Sequence, residues 1–210
     1  TLLSIVALWG VFNLFTKPVA TPTKADLSIT EKDVIRGKKD APVTLVEYSD
    51  LQCPACAAYA PIVKQLVEKY DGKLKLVYRH FPLDQHKHAK KAAYAAEAAH
   101  KQGKFFEYQD VLFEKQSEWQ DLADKDIDAQ FRSYASTLKL DLKAFDADRK
   151  DSAIMKKVDA DQASGIAAGV NSTPTFFLNG YKLSNPRNLE EFEKLIAKEL
   201  PKQEASPSAQ

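Results

Sequence analysis

The chain has 210 residues, 44% of them hydrophobic, and its 30 Lys and Arg against 29 Asp and Glu leave a net charge of +1. That length allows roughly one or two domains with a real apolar core, and the balanced charge excludes the basic field on which nucleic-acid binding depends. Two cysteines cannot build the disulfide framework of a small secreted scaffold. Lys-rich stretches such as Lys87-His88-Ala89-Lys90-Lys91 read as a solvated helix face.

In chain order, residues 1–17 come first, an apolar segment without charge up to Phe15 and closed by Thr16-Lys17-Pro18. A membrane span needs about 20 apolar residues. The chain starts at Thr rather than Met, so we expect residues upstream and read the segment as a signal peptide or an uncleaved signal-anchor. The anchor is favoured, because Pro18 takes the −3 position of the best cleavage candidate, Pro18-Val19-Ala20. Either reading implies export to an oxidising compartment. Residues 18–40 form a Pro- and Thr-rich linker, then a polar stretch with a short strand and turn. Val43 to Tyr48 is a β-branched apolar run broken by Glu47, the pattern of a buried strand.

A helix is predicted over Cys53 to Tyr70, with Ser49 or Asp50 near its start, Pro54 in its first turn and Pro61 as a kink. Asp71-Gly72 ends it, and Lys73 to His80 alternates like a strand. Helical periodicity then runs from His88 to Ser164. The predicted helices are an Ala-rich one to Gln102, then Lys104–Gln116, Asp124–Leu138 and one long helix over Leu142–Ser164. Strand signals return at Thr175–Leu178, Asn179-Gly180 marks a hairpin into Tyr181–Leu183, and Leu189–Leu200 is an amphipathic helix. Residues 201–210 are a polar tail expected to be disordered.

The most informative feature is Cys53-Pro54-Ala55-Cys56, lying between strand and helix. A cysteine at a helix start meets unpaired N–H groups and the positive end of the dipole, which favour its thiolate. A merely structural bridge is a weak alternative, since a loop this short removes little chain entropy. A zinc half-site would need two further ligands. His80, His86, His88 and His100 are the candidates, and none has a paired spacing with the cysteines. We read these histidines as surface residues, and Phe105, Phe106, Tyr108 and Phe113 as the core of the helical block.

Three motifs together carry a family resemblance. They are Cys53-Pro54-Ala55-Cys56, the helix-kinking stretch Ala60-Pro61-Ile62-Val63, and Val170-Asn171-Ser172-Thr173-Pro174-Thr175-Phe176-Phe177. With them, the chain resembles DsbA-like thiol-disulfide oxidoreductases of the thioredoxin superfamily, over residues 41–200. From Cys56 to Pro174 is 118 residues (174 − 56), against a few dozen in plain thioredoxins. The resemblance implies an α/β thioredoxin fold with a helical insertion, at about residues 85–165, between its β-α-β and β-β-α halves.

The resemblance also implies roles. Cys53 would be the exposed attacking-side thiol and Cys56 a buried partner. Pro174 would be a cis-proline facing them, with Thr173 before it contacting substrate alongside Pro54 and Ala55. Glu47, six residues before Cys53, would be a buried acid exchanging protons with Cys56; the alternative is an edge-strand glutamate in water. Lys75 or Arg79 on the next strand is its possible cationic partner. Ala55 departs from the C-P-H-C version of the motif, which implies a less acidic Cys53 and a milder oxidant.

The implied activity is extracytoplasmic disulfide donation to reduced or unfolded exported proteins, with no cofactor beyond the Cys53–Cys56 disulfide and no metal. Reoxidation would fall to a membrane quinone-linked partner of the DsbB or VKOR type. A disulfide reductase or isomerase is the alternative within redox chemistry. A soft-metal chaperone using the dithiol is the alternative outside it.

Overall fold

The structure is a computed structural model and describes residues 24–201. The expected signal or anchor segment, most of the linker's first half and the polar tail lie outside the described residues. Five strands form one mixed sheet in the order β1-β3-β2-β4-β5: Val34–Arg36, Val43–Ser49 (β2), Leu74–His80 (β3), Thr175–Leu178 (β4) and Tyr181–Lys182 (β5). β2 is central, parallel to β3 and antiparallel to β4. Buried on both faces, it is mainly apolar, interrupted by Thr44, Glu47 and Ser49.

Eight helices are described: α1 (Pro54–Lys69), α2 (Ala89–His100), α3 (Phe105–Glu114), α4 (Gln116–Trp119), α5 (Ile127–Thr137), α6 (Leu142–Asp148), α7 (Ser152–Ala167) and α8 (Leu189–Glu199). The order is therefore β-α-β, a helical block, then β-β-α, which is the interrupted thioredoxin fold. Val43 and Leu45 share one sheet face with Val63 and Leu66 of α1 and with Phe192 and Ile196 of α8. Val46 and Tyr48 point to the opposite face, with Phe81 and Phe177. The period-2 alternation of a strand thus puts Glu47 and Ser49 on the α1 side, as continuations of the Val43–Leu45 stripe.

The helical block packs on its own aromatic core, with Phe105, Tyr108, Trp119, Phe131 and Phe145 all buried. The alanines of α2 let its neighbours approach closely; Ala92, Ala95, Ala96, Ala98 and Ala99 are each fully covered. Helix α7 lies tight against the sheet at Gly165, where a Cβ would stand 2.7 Å from the Phe81 ring and 2.9 Å from Tyr48. The hairpin Asn179-Gly180 has positive φ at both residues, 49° and 89°, as a tight two-residue turn requires.

Three expectations are corrected here. The predicted long helix over 142–164 is two helices, because Asp151 accepts from the Ala153 N–H and starts α7 anew. The predicted helix over 104–116 ends at Glu114, and the short α4 follows it. Neither Ser49 nor Asp50 caps α1; Cys53 is its N-cap residue. Pro61 sits inside α1, which continues through it.

Candidate active site

The strand β2 ends at Ser49, and a short loop carries the chain into α1. Cys53 occupies the N-cap position with extended φ and ψ of −77° and 121°, and Pro54 stands at the first helical position, where its missing N–H costs nothing. Cys56 lies one turn further in and is fully buried. Cys53 retains only 7% of its surface, so the attacking-side thiol is a shallow recess rather than the exposed group expected. Both cysteines are free thiols.

The two sulfurs differ sharply in acidity. The Cys53 thiol is held down to about 5, chiefly by its hydrogen bond with Cys56, with further help from Thr173 and the backbone N–H groups of Ala55 and Cys56, against the effect of burial. Burial pushes the Cys56 thiol well above the ordinary value, and the neighbouring Cys53 and Glu47 charges push it the same way. Helix-start N–H groups thus act on one sulfur while the protein interior isolates the other. Ala55, at the second helical position, brings no charge of its own, yet Cys53 stays strongly acidified.

The peptide bond between Thr173 and Pro174 is cis. It brings the second half of the fold to the cysteines: the Cys53 thiol lies 3.5 Å from the Thr173 carbonyl oxygen. Cys53, Cys56, Thr173 and Pro174 are therefore gathered at one end of the central strands, with Pro54 and Ala55 on the first turn of α1. Thr173 also carries a buried hydroxyl without a hydrogen-bond partner among the described residues.

Glu47 is 3% exposed on the central strand, which removes the edge-strand alternative. Burial pushes its carboxyl up to about 7, and the neighbouring Ser49 hydroxyl and the Arg36 charge offset this only in part. The cationic partner expected from β3 does not form. Lys75 donates to the carbonyls of Lys39 and Ala41, and Arg79 pairs with Asp33 at 2.8 Å on the opposite face of the sheet. In register opposite Glu47 stands Tyr78 instead.

Residues to which the sequence reading gave no role at the site hold the loop between β2 and α1. Asp50 is buried; its carboxylate accepts from the Gln52 N–H at 2.7 Å, the Leu83 N–H at 2.8 Å and His86 Nδ1 at 2.7 Å. Its own N–H points to the Cys56 sulfur at 3.4 Å. Gln116 donates to the Leu51 carbonyl, and Gln52 bridges the His88 N–H and the Gln120 carbonyl. The helical block thus clamps the active-site loop residue by residue. The expectation that the histidines are surface residues fails for His80 and His88, which are buried, and for His86, which is tied to Asp50; only His100 is exposed.

One cluster could in principle offer metal ligands: His80, Glu97 and Asp161 bring ring nitrogen and carboxylate oxygens within 4.8 Å of one another. The Lys157 ammonium already occupies it, 3.0 Å from Glu97 and 2.6 Å from Asp161. The cysteines are not part of that cluster.

An acidified thiol at a helix start, a shielded second thiol and a cis-proline facing them, on a thioredoxin sheet interrupted by helices, define the DsbA-like class of thiol-disulfide oxidoreductases. The sequence profile of the Thioredoxin_4 family, described as thioredoxin, matches residues 29–198, and the chain belongs to that family. The structure of alpha-DsbA1 from Wolbachia pipientis is similar at a TM-score of 0.71 and 26% identity, over 82% of this chain and 92% of that one. BdbD from Bacillus subtilis matches in fold at a TM-score of 0.72 and 24% identity, over 85% of this chain and 97% of that one. Among curated sequences, the Na(+)/H(+) antiporter NhaA 3 of Salinispora tropica is 38% identical over 161 residues, covering 76% of this chain and 24% of that protein. The chain thus spans about a quarter of the length of the curated relatives it matches.

Proposed function

We propose that this chain donates its Cys53–Cys56 disulfide to reduced proteins outside the cytoplasm. The observation that carries the proposal is the split acidity of one thiol pair, with Cys53 held down to about 5 and Cys56 pushed up. A low-pKa thiol is a good leaving group, and stabilising its thiolate stabilises the reduced form, so the oxidised pair is driven to oxidise others.

In the proposed reaction a substrate thiolate attacks the Cys53 sulfur. The Cys53–Cys56 bond breaks, and a mixed disulfide forms between substrate and Cys53. The electron pair leaves on Cys56, which takes a proton from Glu47. A second substrate thiolate then attacks the substrate sulfur of the mixed disulfide. The substrate disulfide closes and Cys53 departs as a thiolate; two electrons have passed from substrate to the pair. Thr173 and Pro174 offer the backbone surface along which a substrate strand aligns, and Pro54 and Ala55 line the approach to Cys53. Return to the disulfide would be the work of a membrane quinone-linked reoxidant of the DsbB or VKOR type.

Placement beside a membrane is supported by the occurrence of related sequence within proteins named as Na(+)/H(+) antiporters. Among the described residues no helix is long and apolar enough to cross a membrane. The test is oxidation of a reduced, unfolded protein substrate by the preoxidised chain. The expected result is stoichiometric disulfide transfer, abolished by Cys53→Ser. Retention of activity in that variant would end the proposal. Tight binding of a soft ion by a redox-inert dithiol would favour a metal chaperone instead.

A further inference from the structure

Two hydroxyls near the cysteines stand out because burial has left them without a well-formed hydrogen bond. Ser49 Oγ and Tyr78 Oη are fully covered, and neither makes a hydrogen bond of good geometry among the described residues, although Ser49 Oγ stands close enough to the Glu47 carboxyl and the Tyr78 hydroxyl to favour the charged form of each. An unpaired buried hydroxyl is costly, and native interiors rarely keep one. Here two occur together, and both look at the same place.

Ser49 is two residues beyond Glu47 on β2, so the strand's period puts both side chains on one face. Tyr78 is the register partner of Glu47 on the neighbouring parallel strand β3, hence on the same face. Cys56 of α1 packs over that face in one cluster with Tyr78. The electrostatic couplings agree: Glu47 and Cys56 both act on Tyr78, and Glu47 acts on Cys56. Four groups able to hold a proton thus share one dry space: a carboxyl, a thiol and two hydroxyls. Among the described residues no cation hydrogen-bonds the Glu47 carboxyl there: Lys75 and Arg79 are engaged elsewhere, and Arg36, paired with Asp110, acts on it only through its charge.

We propose that Tyr78 and Ser49 are positioning residues for proton exchange between Glu47 and Cys56, as hydroxyl donors beside the negative charge that this exchange leaves in the interior. This rests on the disulfide-exchange reading above. In one direction the proton leaves the Glu47 carboxyl and arrives on the Cys56 sulfur as that thiolate departs from the disulfide. In the other, on reoxidation, it leaves the Cys56 thiol and returns to the Glu47 carboxylate. No electrons change hands in this step, and no further reactant is needed. Either way one negative charge must reside in a low-dielectric space, where a donor hydroxyl counts for far more than in water. A hydroxyl already bonded to a backbone carbonyl could not turn to meet it. Burial keeps the Tyr78 phenol protonated, as a donor must be.

The reading sets function against stability, which a packing role would not do. Tyr78→Phe keeps the ring against His80 and Phe105 and removes only the orphan oxygen. It is expected to leave the melting temperature unchanged or higher. In the oxidised full-length chain, the protonated carboxyl band of Glu47, assigned by its loss in Glu47→Gln, is followed by infrared difference spectroscopy against pH. Tyr78→Phe and Ser49→Ala should each move its midpoint up, by about one unit in the double variant. Reduction of the disulfide by dithiothreitol should slow about tenfold in the double variant. Ser49→Thr, which keeps a hydroxyl, should restore the wild-type profile. An unmoved midpoint in folded variants overturns the proposal, as does a loss of stability without a shift. Because the infrared midpoint needs no turnover, a failure of the exchange reading would appear separately, as dithiothreitol-dependent chemistry surviving Cys53→Ser.

Discussion

Two buried glutamates serve neighbouring positions of strand β3 and have opposite fates. Glu47 lies opposite Tyr78, with no ion pair among the described residues, and burial pushes it up to about 7. Glu97, on α2, meets His80 at 3.1 Å and Lys157 at 3.0 Å; burial works against its charge, but these partners win and hold it down to about 2. Tyr78 and His80 are themselves ring neighbours, 5.2 Å apart. The interior is equally dry at both places, so dryness alone does not decide ionisation. Partners do. The Glu97 cluster is satisfied and ties the helical block to the sheet, whereas Glu47, beside the reacting sulfur, has only the Ser49 hydroxyl and the Arg36 charge to offset its burial.

The strongest way to break this comparison is to neutralise each acid in turn. Glu97→Gln leaves Lys157 and His80 without their compensating charge, and should lower the unfolding free energy by about 3 kcal/mol or more. Glu47→Gln should raise stability at neutral pH, by up to about 3 kcal/mol, because it removes a buried carboxylate, and should slow disulfide exchange by about a hundredfold. Urea unfolding and single-turnover kinetics check both; equal stability losses would erase the distinction.

The pH dependence sharpens it further. In the oxidised protein neither cysteine titrates. Glu47, with a folded value of about 7 above the ordinary 4.5, contributes stability that is complete below pH 4.5 and lost as pH rises through 7. Glu97, at about 2 against 4.5, contributes stability that is complete above pH 4.5 and lost as pH falls through 2. Each limb amounts to about 3 kcal/mol. Stability measured against pH should therefore lose its alkaline limb in Glu47→Gln and its acid limb in Glu97→Gln.

The smallest expected effect lies outside both acids. Ala55→His adds a cation near the helix start and should raise the reduction potential by about 30 mV, or tenfold in the exchange equilibrium. Glutathione equilibration reads it, and the two stability limbs should stay where they are. No change in potential would mean that the charge at residue 55 does not set the acidity of Cys53.

Much of this arrangement was legible in the chain. The Cys53–Cys56 motif between strand and helix, the Thr173-Pro174 segment and the element order are local patterns, and local patterns survive folding. What escaped depends on register and long-range packing. Glu47 was readable as an acid in an apolar strand, but its neighbour Tyr78 follows only from how β2 and β3 align. Lys75 and Arg79 were equally plausible partners until the strand period sent Arg79 to the other face. The Asp50–His86 bond joins residues 36 positions apart through a loop without periodicity. The His80 and His88 side chains looked solvated among their charged neighbours, because nothing local reveals that α2 covers one and holds the other. A useful signal was present all the same: Asp50 just before the motif is an acid with no helix to cap.

The most direct test of the central claim is the absorbance of thiolate at 240 nm in the reduced protein, followed across pH. One thiolate should appear with a midpoint near pH 5, vanish in Cys53→Ser, and shift upward in Cys56→Ala, which removes the hydrogen bond that does most to hold Cys53 down. A first thiolate appearing only near pH 9, or one that survives Cys53→Ser, would contradict the account.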